Sequence, residues 1–258
     1  MANEYFVRFK ADGYTGPGIV TGNEVHPITG DMYAEYKIEK KSFKLDDIAF
    51  LPPCEPQKII CVGLNYAEHA DESTLDAIPE EPLLFFKPVS SLIGHRDKII
   101  HPNWVDRVDY EGEIAAVIGR KMRNVSVDEA QAGIFGYTCC NDVTAREIQK
   151  KDKQWTRAKG FDTFCPVGPW IVTGLEASSL DIQTRLNGKV VQHSNTGMMM
   201  KSPAVVISFI SKVMTLYPGD LISTGTPKGV GPVKQGDLIE IEIEKIGILA
   251  NEVVDEQP

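Results

Sequence analysis

The sequence predicts an α+β fold rich in β-structure, with a small β-rich unit over residues 1–54 ahead of a larger region over 55–258. Three observations carry that prediction. Apolar runs of strand length, bounded by Gly and Pro, recur along the chain. Asn187-Gly188 between two alternating segments is a hairpin signal, because both residues accept the positive φ of a tight turn. Residues 238–244 alternate strictly, with Ile239, Ile241 and Ile243 toward a core and Glu240, Glu242 and Glu244 toward water.

The N-terminal unit contains strand-like residues 5–9 and 18–20 and shows no catalytic constellation. Residues 51–56 close it as a linker, since proline removes backbone donors and restricts its neighbour. Residues 58–62 and 83–88 are short apolar strands; the first stops at Gly63, and a loop with Ser90, Ser91 and Gly94 follows the second. Between them the chain is polar as far as Pro79 and suits a mobile lid. A helix there would place His69 and Glu72 on one face; on spacing alone His69 is an ordinary surface histidine.

Further along, Ser126 and Glu129 form a capping box that opens a helix ending near Gly133. Residues 137–141 form a strand that delivers Asp142. Residues 142–149 then turn helical, with Arg146 and Gln149 sharing a face. The basic stretch 150–159 reads as a solvated loop except at Lys159, where Gly160 and Phe161 lead back to a core strand. Pro166 and Pro169 make residues 164–172 irregular or a sheet edge. Ser202 caps a helix with Pro203 in its first turn and Val206, Phe209, Ile210 and Val213 as its apolar stripe. A turn at 218–220 enters strand 221–224. The Gly-rich residues 225–231 lack the order of a phosphate loop. They read as an active-site loop offering backbone N–H groups and the Thr226 hydroxyl, or as a plain interstrand turn.

Bulk properties narrow the function. The chain has 258 residues, 42% hydrophobic, with a formal net charge of −9. A nucleic-acid binder usually shows a basic excess, so that partner is not expected. No apolar run approaches the roughly 20 residues that cross a bilayer, and the N-terminus has no signal core; a soluble cytoplasmic protein follows. Five cysteines without a C-x-x-C pair argue for buried thiols rather than a zinc site or disulfide framework.

The chemistry concentrates in residues 109–119, DYEGEIAAVIG. Glu111 and Glu113 stand at i and i+2, so a strand projects both from one face. Two like charges so close repel, and one stays protonated unless a cation sits between them. Both faces are apolar beyond Glu113, which places the strand between layers; an edge strand with two exposed acids would show the same spacing. We read a divalent metal here, with Asp142, at a strand end, as a natural third oxygen ligand. Asp142 is equally a favoured helix N-cap.

Taken together, VGLNYAEHADE near 62, LLFFKP near 83, DYEGEIAAVIG near 109, NDVTAREIQ near 141, AKGFDTFCPVGP near 158 and ISTGTPKGVGP near 222 resemble the fumarylacetoacetate hydrolase family. The motifs span roughly residues 57–235 in the family's order. The resemblance implies a mixed β-sandwich or roll, a Mg²⁺ or Mn²⁺ ion, and a homodimer. It assigns Glu111, Glu113 and Asp142 to the metal, and Arg146, Gln149, Lys159 and Thr226 to substrate-contacting positions. It also makes His69 and Glu72 the lid dyad, against the plain spacing argument. Leu64 departs from the pattern, standing where many relatives carry Arg, and so removes one possible carboxylate contact.

The expected reaction is hydrolytic C–C cleavage of an acylpyruvate-type 2-oxo acid through a metal-stabilised enolate. In it Lys159 adds positive charge, and His69, oriented by Glu72, takes a proton from water. The same electron sink would serve an oxaloacetate-type decarboxylase or an isomerase of a muconate-type diacid. A non-catalytic, metal-stabilised binding module is the reading of a different class.

Overall fold

The computed structural model describes residues 3–68 and 79–257. Strand Gly112–Ile118 lies inside a 13-stranded sheet, antiparallel to Ile134–Asn141 on one side and to Leu221–Ser223 on the other. Every residue of it is buried. The pleat sends Ile114, Ala116 and Ile118 into one core cluster and Ala115 and Val117 into another. The first cluster is completed by Ile182, Ile239, Ile241 and Ile243 of a five-stranded sheet and by Val206, Ile207 and Ile210 of helix Pro203–Val213. The two sheets thus face each other across a shared core, as in a sandwich.

A third, three-stranded sheet places Val108–Tyr110 between Thr144–Ala145 and Gly231–Val233. This arrangement positions the acids. The chain passes from the small sheet to the large one at Glu111, between Val108–Tyr110 and Gly112–Ile118. It makes the reverse passage at Asp142, between Ile134–Asn141 and Thr144–Ala145. The two crossings are tied by Asp142 N–H donating to Glu111 O at 2.9 Å and Glu111 N–H donating to Asn141 Oδ1 at 2.9 Å.

The N-terminal strands join the same large sheet. Glu4–Ala11 pairs with Tyr14–Thr21 and Ala49–Leu51, and also antiparallel with Cys165–Thr173. The hairpin at Asn187-Gly188 forms with both residues at positive φ, 52° and 77°. Ser126 and Glu129 make the reciprocal capping box of helix Val127–Gln131. No helix among the described residues is long and apolar enough to cross a membrane.

Four expectations need correction. Residues 164–172 are not irregular or at an edge: strand Cys165–Thr173 lies inside the sheet, between Glu4–Ala11 and Ile134–Asn141. A register shift between Tyr137 and Cys139 accommodates Pro169, which cannot donate to the ladder, while Pro166 lies beside Ile93 of the parallel-paired strand Leu92–Ile93. The basic side chains of 150–157 are solvated and Lys159 is buried as expected, but the backbone is mostly helical rather than loop, in Arg146–Asp152 and Thr156–Lys159. Lys and Arg are good helix formers, and Lys150 and Lys151 sit in a last turn, where cations complement the helix dipole. Asp142 caps nothing: Ala145 occupies the N-cap, and strand Thr144–Ala145 precedes the helix. The stripe of Pro203–Val213 is rotated, with Val213 61% exposed, Phe209 partly buried and Ile207 in the core. Ser208 and Ser211 turn inward instead. Ser208 Oγ donates to Val125 O at 2.8 Å, and Ser211 Oγ accepts from Val125 N–H at 3.0 Å.

His95 gives the fold a pH dependence. Its Nδ1 accepts the Ala250 N–H at 3.1 Å, and its ring meets Phe50 edge-on. Burial, then the neighbouring Arg96, lowers its pKa from 6.5 to about 4. Between those values the unfolded chain takes up a proton that the folded one refuses, so stability falls as pH falls through that window. Allowing for the solvent that still reaches the ring, the loss is on the order of 2 kcal/mol. Urea midpoints measured from pH 7 to 4 should decline less steeply in His95→Gln than in the wild type; parallel declines would remove His95 as the cause.

Candidate active site

Three acidic side chains from two separate segments converge at the sheet crossings. One carboxylate oxygen from each of Glu111, Glu113 and Asp142 lies within 4.8 Å of the others, and all three residues are buried. Asp109 is buried beside them, one alternation earlier on the same stretch. Burying this many carboxylates is costly unless each is paired or hydrogen-bonded.

Cations supply most of that pairing. Lys159 Nζ donates to Glu111 Oε2 at 2.9 Å and to Asp142 Oδ2 at 2.5 Å. Lys87 Nζ donates to Asp142 Oδ1 at 2.6 Å and to Val143 O at 3.0 Å. Arg146 uses its whole fork: Nη2 on Glu111 Oε1 at 2.6 Å, Nε on Asp109 Oδ2 at 2.8 Å, and Nη1 on Gln149 Oε1 at 2.6 Å. Arg107 holds Asp109 from the other side, at 2.7 and 3.1 Å. Burial pulls the Lys159 ammonium down, but Asp142 and Glu111 outweigh it and leave its pKa above the ordinary lysine value. Lys159 also lies 4.9 Å from the Phe85 ring centroid and 5.8 Å from that of Trp155.

Glu113 is treated differently. It accepts from neutral donors, Ser223 Oγ at 2.5 Å and Gly225 N–H at 2.8 Å, both on Oε2. Burial, followed by the nearby Asp142 charge, raises its pKa well above the ordinary carboxylate value. A cation at the shared centre of the three acids would relieve that repulsion. The donor set is all oxygen, which suits a hard divalent ion such as Mg²⁺ or Mn²⁺; on donor chemistry and spacing the residues fit one.

The Gly-rich segment does offer a backbone N–H, that of Gly225. Thr226 is committed to the scaffold: its hydroxyl donates to Gly112 O at 2.9 Å and accepts from Gln192 Nε2 at 2.9 Å. Gln192 reaches over from the five-stranded sheet and also accepts the Gly112 N–H at 3.0 Å. Gln149 is buried against Arg146. His69, Glu72 and most of the expected lid lie outside the described residues.

Sequence reasoning missed Lys87, Asp109 and Ser223 as parts of this network. Asp109 was legible: Asp109, Glu111 and Glu113 form a third step of the same alternation. Lys87 shares the face of Phe85 in an otherwise apolar strand, and a lysine on an inward face needs a carboxylate partner. Lys87→Met would leave Asp142 Oδ1 and Val143 O without their donor. It should cost about 3 kcal/mol or more in denaturant unfolding; a wild-type midpoint would take Lys87 out of the network.

Comparison with known proteins adds the following. Residues 58–254 match the family model "Fumarylacetoacetate (FAA) hydrolase C-terminal", and residues 6–53 match "Rv2993c-like, N-terminal". The chain is 43% identical to oxaloacetate tautomerase Fahd2a, mitochondrial, of Rattus norvegicus, over 80% of this chain and 70% of that protein. It superposes on the crystal structure of 2-hydroxyhepta-2,4-diene-1,7-dioate isomerase from Mycobacterium marinum with a TM-score of 0.92 and 40% identity, covering 99% of this chain and 100% of that one. It also superposes on maleylpyruvate hydrolase from Sphingobium sp. SYK-6 in complex with manganese(II) ion and pyruvate, with a TM-score of 0.83 and 31% identity, covering 98% and 100% of the two chains.

Proposed function

Because this chain belongs to the fumarylacetoacetate hydrolase family, we propose that it is a divalent-metal-dependent enzyme that hydrolyses a C–C bond of an acylpyruvate-type 2-oxo (β-diketo) acid. The observation that carries the proposal is the buried cluster of Glu111, Glu113 and Asp142 with the Lys159 ammonium joined to two of its members. In this reading those three residues hold the ion, Mg²⁺ or Mn²⁺. When bound, the ion supplies Lewis-acid polarisation of substrate oxygens.

The protein's own groups do the rest. Lys159, permanently charged and fixed between carboxylates, faces the place where negative charge grows on the 2-oxo acid portion. Arg146, braced by Asp109, steadies Glu111 for the ion and, with Gln149, lines the substrate's side of the site. His69, oriented by Glu72, removes a proton from the water that attacks the distal carbonyl. The C–C bond breaks, its electron pair passes to the pyruvate-like fragment, and a proton later replaces the lost acyl group. The proposal includes the division into an N-terminal unit over 1–54 and a catalytic region over 55–258, and a homodimeric cytoplasmic enzyme.

A second reading has specific support. The rat relative is an oxaloacetate tautomerase, and the mycobacterial neighbour is a diene-dioate isomerase. On the same electron sink, movement of a proton gives an isomerase or tautomerase, and loss of CO₂ gives a decarboxylase. A panel of acylpyruvates, oxaloacetate and muconate-like diacids with Mg²⁺ and Mn²⁺, read by product identity, decides among them. Absence of turnover on all of them with intact metal binding would instead favour a binding module.

Two substitutions test the roles. Glu113→Ala should abolish metal binding and turnover together; unchanged activity would count decisively against the metal cluster. His69→Ala should spare metal binding and slow hydrolysis about a hundredfold or more, the usual yield of general-base catalysis. Equal rates would remove the dyad from the mechanism.

A further inference from the structure

We infer that the Tyr66 hydroxyl is a preset hydrogen-bond donor to an anionic oxygen of the substrate, a contact that rests on the 2-oxo acid reading above. Tyr66 is only 1% exposed, and its hydroxyl is a buried polar atom with no hydrogen-bond partner. Burying an unpaired hydroxyl costs stability, and phenylalanine would fill the same space without that cost. A donor kept at such a position is explained by a partner that arrives with a ligand.

Its place in the fold supports this. Asn65, the preceding residue, is pinned on three sides. Its Nδ2 donates to Lys201 O and Thr224 O, both at 2.8 Å, and its Oδ1 accepts the Lys201 N–H at 2.8 Å. The Asn65 carbonyl accepts the Met200 N–H at 2.8 Å, and Tyr66 bridges to Met199. The backbone that carries the ring is thereby fixed and the ring itself is buried, so the donor is in place before any ligand enters.

The same pinning brings Tyr66 to the acidic centre. Asn65 packs so closely on Gly225 that a Cβ there would lie 2.8 Å from the Asn65 Cβ. The Gly225 N–H in turn holds Glu113 Oε2. Glu113 is also the ionisable neighbour whose charge, after burial, raises the Tyr66 pKa, so the group stays a neutral donor.

Two other donor groups near the cluster are already committed. The Thr226 proton goes to Gly112 O, and Arg146 spends its fork on Asp109, Glu111 and Gln149. Leu64, two residues before Tyr66, offers none. Among the described residues only Thr184 shares the condition of a buried, unpartnered side-chain oxygen. Its Oγ1 lies against the Gly112 backbone, 2.2 Å from where a Cβ would stand. Tyr66 is thus a buried, uncommitted donor for a substrate oxygen, additional to Lys159 and Gln149.

The test uses Tyr66→Phe, with oxalate as an unreactive planar probe carrying adjacent anionic oxygens. Calorimetric titration measures Mg²⁺ alone, then oxalate in saturating Mg²⁺, and thermal unfolding is followed in parallel. The variant should melt no lower than wild type and bind Mg²⁺ as well, while its oxalate dissociation constant rises about tenfold, as for a lost hydrogen bond to a charged group. An unchanged oxalate constant overturns the inference while leaving the wild-type site intact. Weakened Mg²⁺ binding in the variant also overturns it, since the hydroxyl would then serve the acid cluster. If the wild type itself binds no oxalate with Mg²⁺ present, the 2-oxo acid reading fails and the Tyr66 contact falls with it.

Discussion

The molecule is organised around compensation of buried negative charge. Asp109, Glu111, Glu113 and Asp142 are all withdrawn from water, and a carboxylate in that position survives only with partners. Lys87, Lys159, Arg146 and Arg107 provide them for three of the four. Glu113 receives a hydroxyl and an amide, which stabilise but do not neutralise. That imbalance is one that a small hard cation would correct and a neutral or anionic group would not.

The backbone makes such crowding possible. A continuous ladder would have buried Glu111 and Asp142 among cross-strand neighbours with no room for a ligand. Both residues instead stand where the chain leaves one sheet for another. The Asp142 N–H to Glu111 O and Glu111 N–H to Asn141 Oδ1 bonds tie the two crossings to each other. Gln192 spans the layers to fix Gly112 and Thr226, and Gly112 has no room for a side chain because Thr184 stands over it. Rigid elements on several sides thus set positions that a loop could not hold as tightly.

Much of this was legible because it is periodic. The i, i+2 acids, the alternating Ile and Glu of residues 238–244, the Asn-Gly hairpin and the Ser126–Glu129 capping box are local patterns, and local patterns survive without coordinates. What was lost is long-range. Lys87 meets Asp142 across 55 residues, and Ser223 meets Glu113 across 110; nothing in either neighbourhood announces the other. Lys87 resembles the ordinary polar end of an apolar strand until its partner is seen. Pro169 of Cys165–Thr173 misled for a related reason: the register shift that accommodates it belongs to the pairing with Ile134–Asn141, not to the segment itself. The basic segment misled only in its backbone: Lys150, Lys151, Lys153 and Arg157 are exposed as their charge suggests, but lysine and arginine also favour helix.

The pairing of Glu4–Ala11 with Cys165–Thr173 has a consequence beyond architecture. It means the N-terminal unit shields a row of backbone amides and carbonyls that would otherwise open to solvent on the strand flanking Ile134–Asn141. Unshielded rows of that kind recruit other chains and seed aggregation. Residues Glu4, Tyr5 and Phe6 therefore act as a molecular selvedge, finishing the border of the fabric into which the acids are woven.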